Sequence, residues 1–302
     1  MHSVNSPIFP TLSSIVSPFK GILLDAYGVF WGGNDMGPIP GAKEAMENLV
    51  ASGKIVGVLS NSTQLAWKEI KKLESHGIIE GKHFHFLLTS GEIAREIFLK
   101  GSFPIQTLHK KFWVLGGAHP AFSSHESIFQ GTGYRETSNI DEADFIYAGV
   151  PHIEGEDQRD PEIFRNEIQR VVKKKLTLMC ANPDRFAHEG IPPKAVVRQG
   201  SIAAMYEELG GTVFYIGKPY PVAYAKALER FFEREILPFS EILMVGDTPE
   251  TDIRGAHQCG ISSALILQTG IMGDRIATQG LESAMQTLFD RPDFFIDRLG
   301  NP

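Results

Sequence analysis

Cysteine is scarce in this chain. There are two, Cys180 and Cys259, in 302 residues, and no ligand spacing links them. That excludes a disulfide framework and argues against a structural zinc site. It points to a reducing, cytoplasmic compartment. No apolar stretch is long enough to cross a bilayer. The opening residues, "MHSVNSPIFPTLSSIVSPF", lack the basic start and long apolar run of a secretory signal and read as a loosely tied arm. Basic charge is in deficit, with 29 Lys and Arg against 36 Asp and Glu. Nucleic acids and anionic membranes need a basic face, so neither is expected as a partner. The one basic run, Lys173-Lys174-Lys175, ends a helical pattern, where cations suit the helix C-terminus. Repeats and low-complexity tracts are absent too.

What is present is a regular alternation. Short apolar runs exchange with amphipathic helical patterns, which predicts an α/β protein with a largely parallel sheet. Strands are expected at 21–26, 55–60, 84–89, 112–115, 144–148, 176–180, 213–216, 242–245 and 264–267. Helices are expected at 40–52, 66–76, 91–99, 161–174, 201–209, 221–235 and 251–259, the last stopped by Gly260. Residues 118–160 differ in texture, with "EGEDQRDPE" among many Gly, Ser and His. This reads as an α/β cap domain, 104–211, inserted into a Rossmann-like core of 17–103 and 212–302, with 1–16 as an N-terminal arm.

In an open parallel sheet, ligands bind at the carboxyl ends of the strands. "GILLDAYG" places Asp25 there, and "VGVLSNST" places Ser60 and Asn61. "FYIGKPYP" places Lys218, and "ILMVGDTPETDI" places Asp247, with Asp252 opening the next helix. Any one of these could be a helix cap or turn residue. Several strand ends carrying such groups together describe a site. Asp25 and Asp247 would repel unless a cation lay between them. Hard oxygen ligands suit Mg²⁺. Lys218 suits a phosphate, and Ser60 with the N–H groups after it can hold further phosphate oxygens. The set fits phosphoryl transfer to a carboxylate nucleophile.

In the order "LLDAYGV", "VLSNS", "GKPYP", "VGDTPETDI", the chain resembles the haloacid dehalogenase (HAD) superfamily of hydrolases. "GPIPGA" at 37–42, "NPD" at 182–184 and "GKP" at 217–219 are similar to the NagD-like branch. The resemblance covers about residues 20–298. It implies Mg²⁺-dependent hydrolysis of a small phosphomonoester, such as a sugar phosphate, nucleotide or pyridoxal phosphate. It makes Asp25 the nucleophile and a metal ligand, the Tyr27 carbonyl a second ligand and Asp247 a third. Ser60, Asn61 and Lys218 would hold the phosphoryl group. Asp252 would orient Lys218 or a metal-bound water. Selectivity would come from the cap, near Asn182 and Asp184, with Arg185 and His188 beside them. The resemblance also allows a homodimer.

One position departs from the pattern. Phosphatases of the superfamily carry a second Asp two residues after the nucleophile, as acid and base. Here that residue is Tyr27, whose phenol can donate a proton but is a poor base at neutral pH. "DAYG" is similar to the first motif of the L-2-haloacid dehalogenases, which displace halide without a metal. Asp247 opposes that alternative, because a further acid beside the nucleophile would repel a carboxylate substrate. A weakly catalytic protein that binds a phosphorylated metabolite is the other alternative.

Overall fold

The structure, a computed structural model, describes residues 7–33, 36–122, 124–189 and 194–302. It packs as two compact units. The first holds the described residues up to Ser60, with Trp67–Leu88 and Lys218–Pro302; the second holds Asn61–Ala66 and Thr89–Gly217.

The first unit is organised by a seven-stranded sheet. Its order is Ile8–Thr11, Phe294–Arg298, Ser262–Ile266, Ile242–Gly246, Gly21–Leu24, Ile55–Ser60, Phe86–Thr89. The pairs from Ile8–Thr11 across to Ile55–Ser60 are all parallel. The inner strands Ile242–Gly246, Gly21–Leu24 and Ile55–Ser60 are apolar almost throughout because the inner strands of a parallel sheet are covered on both faces. Ile22, Leu23, Leu24, Val56, Val58 and Ile242–Val245 are essentially inaccessible. An α/β protein with a parallel-sheet core is therefore what the alternation of patterns builds.

Two strands of this sheet lie where the sequence pattern predicts none. Residues 8–11, expected to be part of a loose arm, form an edge strand, and 294–298 form its neighbour. Phe9 packs edge-on against Phe294, with ring centroids 6.4 Å apart. Pro10 is tolerated because an edge strand pairs on one side only. The helix expected at 251–259 starts differently. Pro249–Ile253 is a π-helical turn, and the α-helix runs Arg254–Cys259 to a left-handed Gly260. Helices at Ser124–Phe129, Gly270–Gln279 and Leu281–Gln286 add to the expected set.

The second unit has its own five-stranded parallel sheet. The order is Val213–Tyr215, Leu178–Cys180, Phe145–Ala148, Lys111–Leu115, Arg135–Glu136. Leu178, Ile146, Ile168, Ala203 and Tyr206 form part of its core. Phe98, Phe103, Phe112, Phe129 and Phe145 form an aromatic layer, with Phe112 and Phe129 stacked at 3.9 Å.

Candidate active site

The polar residues of the first unit gather at the carboxyl ends of three adjacent strands. Asp25 follows Gly21–Leu24, and Asp247 follows Ile242–Gly246. Ser60 ends Ile55–Ser60, and the register Leu24↔Val58 sets it level with Ala26, one residue beyond Asp25. Lys218 joins them from the chain that returns from the second unit.

Lys218 lies at the centre. Its Nζ is 2.5 Å from Asp25 Oδ1 and 2.7 Å from Asp252 Oδ1. Only 2% of its side chain is accessible. Burial works against the ammonium, but Asp25 and Asp252 outweigh it and raise the Lys218 pKa. Lys218 is therefore a fixed positive charge. Asp252 is also wholly buried and orders the π-helical turn around itself. Its Oδ2 accepts the N–H groups of Asp247, at 3.2 Å, and Thr248, at 3.1 Å. The wider turn lets that carboxylate reach back to its own N-terminal end, in keeping with the frequent use of π-turns at functional sites.

Asp247 is held just as firmly. Oδ1 accepts the Thr248 hydroxyl at 2.9 Å, and Oδ2 accepts the Ile271 N–H at 2.7 Å. Two glycines permit this approach. Gly28 and Gly270 both adopt left-handed backbone, and a Cβ on either would collide with the Asp247 carboxylate. The Thr269 hydroxyl ties the two loops together through the Gly28 carbonyl, at 2.5 Å. Tyr224, buried under the turn, donates its hydroxyl to the Asp252 carbonyl at 2.8 Å. Sequence reasoning misses Gly270, Ile271, Thr248 and Tyr224. Only Thr248 has a visible signal, its place directly after Asp247.

Carboxylate oxygens of Asp25, Asp247 and Asp252 lie within 4.8 Å of one another. Three carboxylates meet one ammonium, so the buried site carries an excess of negative charge. Burial, then Asp25 and Asp252, push the Asp247 pKa well above the carboxylate range. A divalent cation fits this donor set: hard oxygens, excess negative charge, and a carboxylate that is costly to ionise alone.

Tyr27 is 42% exposed. Lys72, on helix Ala66–Ser75, donates to its hydroxyl at 3.1 Å. Burial opposes the Lys72 charge, but Tyr27 and Glu69 raise its pKa. Asn61, Asn182 and Asp184 belong to the second unit. There Asn61 Nδ2 donates to Asp184 Oδ1 at 2.8 Å, and the Asp184 N–H donates to Asn182 Oδ1 at 2.9 Å. Arg185 is exposed, with its carbonyl accepting the Arg198 N–H and the Ser201 hydroxyl. The side chain of His188 lies outside the described residues.

Residues 22–130 match the family model of haloacid dehalogenase-like hydrolase, and residues 215–301 that of HAD-hydrolase-like. The chain is 26% identical to chronophin of Mus musculus over 302 residues, covering 96% of this chain and 94% of that one. The fold is shared with the 4-nitrophenylphosphatase of Thermotoga maritima, with a TM-score of 0.66, 23% identity, and 94% and 96% of the two chains covered. It is shared also with NagD of Escherichia coli, with a TM-score of 0.59, 21% identity, and 93% and 96% covered. The chain belongs to the haloacid dehalogenase-like hydrolases, as a hydrolase of their phosphatase kind built on the NagD fold.

Proposed function

We propose that this protein is a Mg²⁺-dependent phosphatase of small phosphomonoesters, working through an aspartyl-phosphate on Asp25. The observation that carries the reading is the buried set of Asp25, Asp247 and Asp252 around the single ammonium of Lys218. Such a set has little structural use and is costly without a cation. Asp25, Asp247 and the Tyr27 carbonyl would hold the Mg²⁺. Bound there, the metal would offset the repulsion between the carboxylate and an incoming phosphate.

The remaining steps fall to the chain. Lys218 draws a phosphoryl oxygen toward Asp25, and Ser60 with the backbone after it supports the others. The Asp25 carboxylate attacks phosphorus, the ester P–O bond breaks, and the leaving alkoxide takes a proton from solvent and departs as the alcohol. Water then attacks phosphorus, the Asp25–phosphorus bond breaks, and phosphate leaves. Asp252 keeps Lys218 aligned throughout. We assign the second unit the part of a cap that selects substrate, with Asn61, Asn182 and Asp184 among its contributors. The name of the Thermotoga neighbour makes 4-nitrophenyl phosphate the first ester to try.

Asp247 weighs against halide displacement, since it adds negative charge where a haloacid would bring its carboxylate. Tyr27 is the feature that favours the second reading, a phospho-metabolite binder with little turnover. The deciding experiment is steady-state hydrolysis of 4-nitrophenyl phosphate with Mg²⁺, with chelator, and in Asp25→Asn. The expected result is metal-dependent turnover that falls to background in the variant while its melting transition persists. Halide release from 2-chloropropionate in excess chelator would overturn the phosphatase reading. Thermal stabilisation by phosphate ligands without turnover would move the protein to the binding class.

A further inference from the structure

The turn that carries Asp252 is held from a second direction. Helix Pro221–Phe232 starts three residues after Lys218, with proline as its first residue. The chain that delivers Lys218 therefore runs straight into a helix. Ala223, Tyr224, Ala227, Leu228 and Phe231 are its buried positions, at the spacing of one helical face. Tyr224 is completely buried, and its ring lies against the next helix, Arg254–Cys259. Gly255 makes the room, because a Cβ there would collide with Tyr224 Cε2.

A phenol buried this far must place its one hydrogen on an acceptor. The Tyr224 hydroxyl has the Asp252 carbonyl at 2.8 Å and the Thr251 carbonyl at 3.3 Å, both in the π-helical turn Pro249–Ile253. The two contacts of Asp252 then close a circuit. Its carboxylate meets the Lys218 ammonium at 2.7 Å. Its carbonyl meets Tyr224, six residues after Lys218, on the helix that Lys218 leads into. The stretch 218–224 is thus tied to one residue at both ends, once through a side chain and once through the backbone. A turn gripped only at the carboxylate could slide and carry the acid with it. Gripped at the carbonyl as well, it keeps the carboxylate in one position against Lys218.

We propose that Tyr224 is a positioning residue for Lys218: its hydroxyl holds the π-helical turn in register with the helix that follows Lys218, and so fixes where the Asp252 carboxylate meets the ammonium. The inference rests on the phosphatase reading, in which Lys218 draws a phosphoryl oxygen toward Asp25. Charge on the phosphoryl oxygens is redistributed as transfer proceeds, so a misplaced ammonium costs more in the transition state than in the bound ester. The loss therefore falls on kcat rather than on KM.

The test measures kcat and KM for 4-nitrophenyl phosphate at saturating Mg²⁺, with melting transitions, in wild type, Tyr224→Phe, Lys218→Met and the Tyr224→Phe, Lys218→Met double variant. Enzyme is raised to keep the slow variants above background. Tyr224→Phe keeps the ring and removes only the hydroxyl. It should lower kcat roughly three- to tenfold, the range of one ordinary net hydrogen bond, with KM within about twofold. In the Lys218→Met background the same change should move kcat by less than about twofold, because the residue it acts through is gone. A smaller folded fraction would instead lower the rate by the same factor in both backgrounds. Equal losses in the two backgrounds, or a Tyr224→Phe kcat within about twofold of wild type, would overturn the proposal. Should Tyr224→Phe not fold, Tyr224→Met, apolar and adaptable in a core, is read in the same cycle. No hydrolysis by the wild type sinks the phosphatase reading and this inference with it. Hydrolysis by the wild type, with equal losses in the two backgrounds, sinks this inference alone.

Discussion

Lys218 in the first unit and Arg198 in the second are both almost wholly buried cations, and their surroundings differ. Arg198 Nη1 lies 2.7 Å from Asp157 Oδ1 and 3.0 Å from its neighbour's carbonyl, that of Val197. The guanidinium also stands over the Phe122 ring, at 5.8 Å. Lys218 instead meets two carboxylates at once, with Asp247 close behind them. A buried pair with matched charge and a good hydrogen bond is an ordinary structural element. A buried group of acids with too few cations is not, and such imbalance is where chemistry concentrates.

Removing each cation tests that distinction most strongly. Lys218→Met should lower turnover of 4-nitrophenyl phosphate by roughly 10²–10³-fold or more, the usual loss for a buried group that stabilises developing charge. Arg198→Met should instead cost stability, at most about 3–5 kcal/mol, with turnover per folded molecule near wild type. The discount is real because Asp157 keeps 26% of its side chain accessible. Thermal melts and initial rates on both variants decide the matter. The contrast fails if Arg198→Met, still folded, loses as much turnover as Lys218→Met.

Asp247→Asn sharpens the comparison from the acidic side. The amide keeps its shape, so the Ile271 N–H and the Thr248 hydroxyl can still be satisfied. One charged ligand is gone, and the Mg²⁺ concentration for half activity should rise by at least about tenfold, the loss that even an outer-shell change can bring. An unchanged Mg²⁺ titration, read by rate or calorimetry, would remove Asp247 from the metal set.

Protons should replace the cation when it is withheld. Burial raises Asp252; Lys218 opposes this, Asp25 adds to it, and the result is about 6. Asp247 is raised too, by burial and then by Asp25 and Asp252. A carboxyl whose folded pKa exceeds its unfolded value, about 4, stabilises the fold below that value. The contribution is lost as pH rises through the folded pKa. With chelator, stability should therefore fall from about pH 4 through about pH 6 on account of Asp252, and fall further as pH rises through the raised pKa of Asp247. With saturating Mg²⁺ the fall should flatten, so the gap in Tm between the two conditions widens with pH. Parallel Tm–pH curves would show that the acids and the metal do not share a site.

Much of this site is legible in the sequence alone, for a physical reason. Asp25, Ser60 and Asp247 each end an apolar run, and a parallel sheet sends such ends to one edge. Lys218 stands out by its place among glycine and proline after another apolar run. What stays hidden works through backbone or through ordinary side chains. Ile271 serves by its N–H, which any residue would supply. Tyr224 looks like one more apolar position on helix Pro221–Phe232, and its hydroxyl contact is set by tertiary packing. Lys72 looks like a solvated helix charge until Tyr27 and Trp31 are seen beside it. The edge strand at 8–11 is obscured by its Ser- and Pro-rich surroundings. Asn182 and Asp184 stand out by resemblance, but their local hydrogen bonds depend on a turn that composition does not disclose.

The smallest effect concerns how the acidic turn is braced from outside. Arg275 makes two 2.8 Å bonds to Glu250, one to each carboxylate oxygen. Glu250 belongs to the π-helical turn that carries Asp252, and Arg275 belongs to helix Gly270–Gln279. That helix begins with the Ile271 N–H on Asp247, and its Met272 N–H donates to the Asp247 carbonyl at 3.1 Å. The pair therefore joins the two elements that hold the Asp247 carboxylate. Both side chains are partly exposed, so their direct contribution to stability should stay under about 1 kcal/mol. Their effect on geometry should appear elsewhere. Arg275→Ala should raise the Mg²⁺ requirement roughly two- to threefold, the equivalent of about half a kcal/mol, with kcat at saturating metal unchanged. Glu250→Gln should match it, and the double variant should be no worse than either, because one bond cannot be lost twice. Additive losses would mean that the two residues act separately. A lowered kcat at saturating Mg²⁺ would mean that the brace aligns Lys218 and Asp25 rather than Asp247.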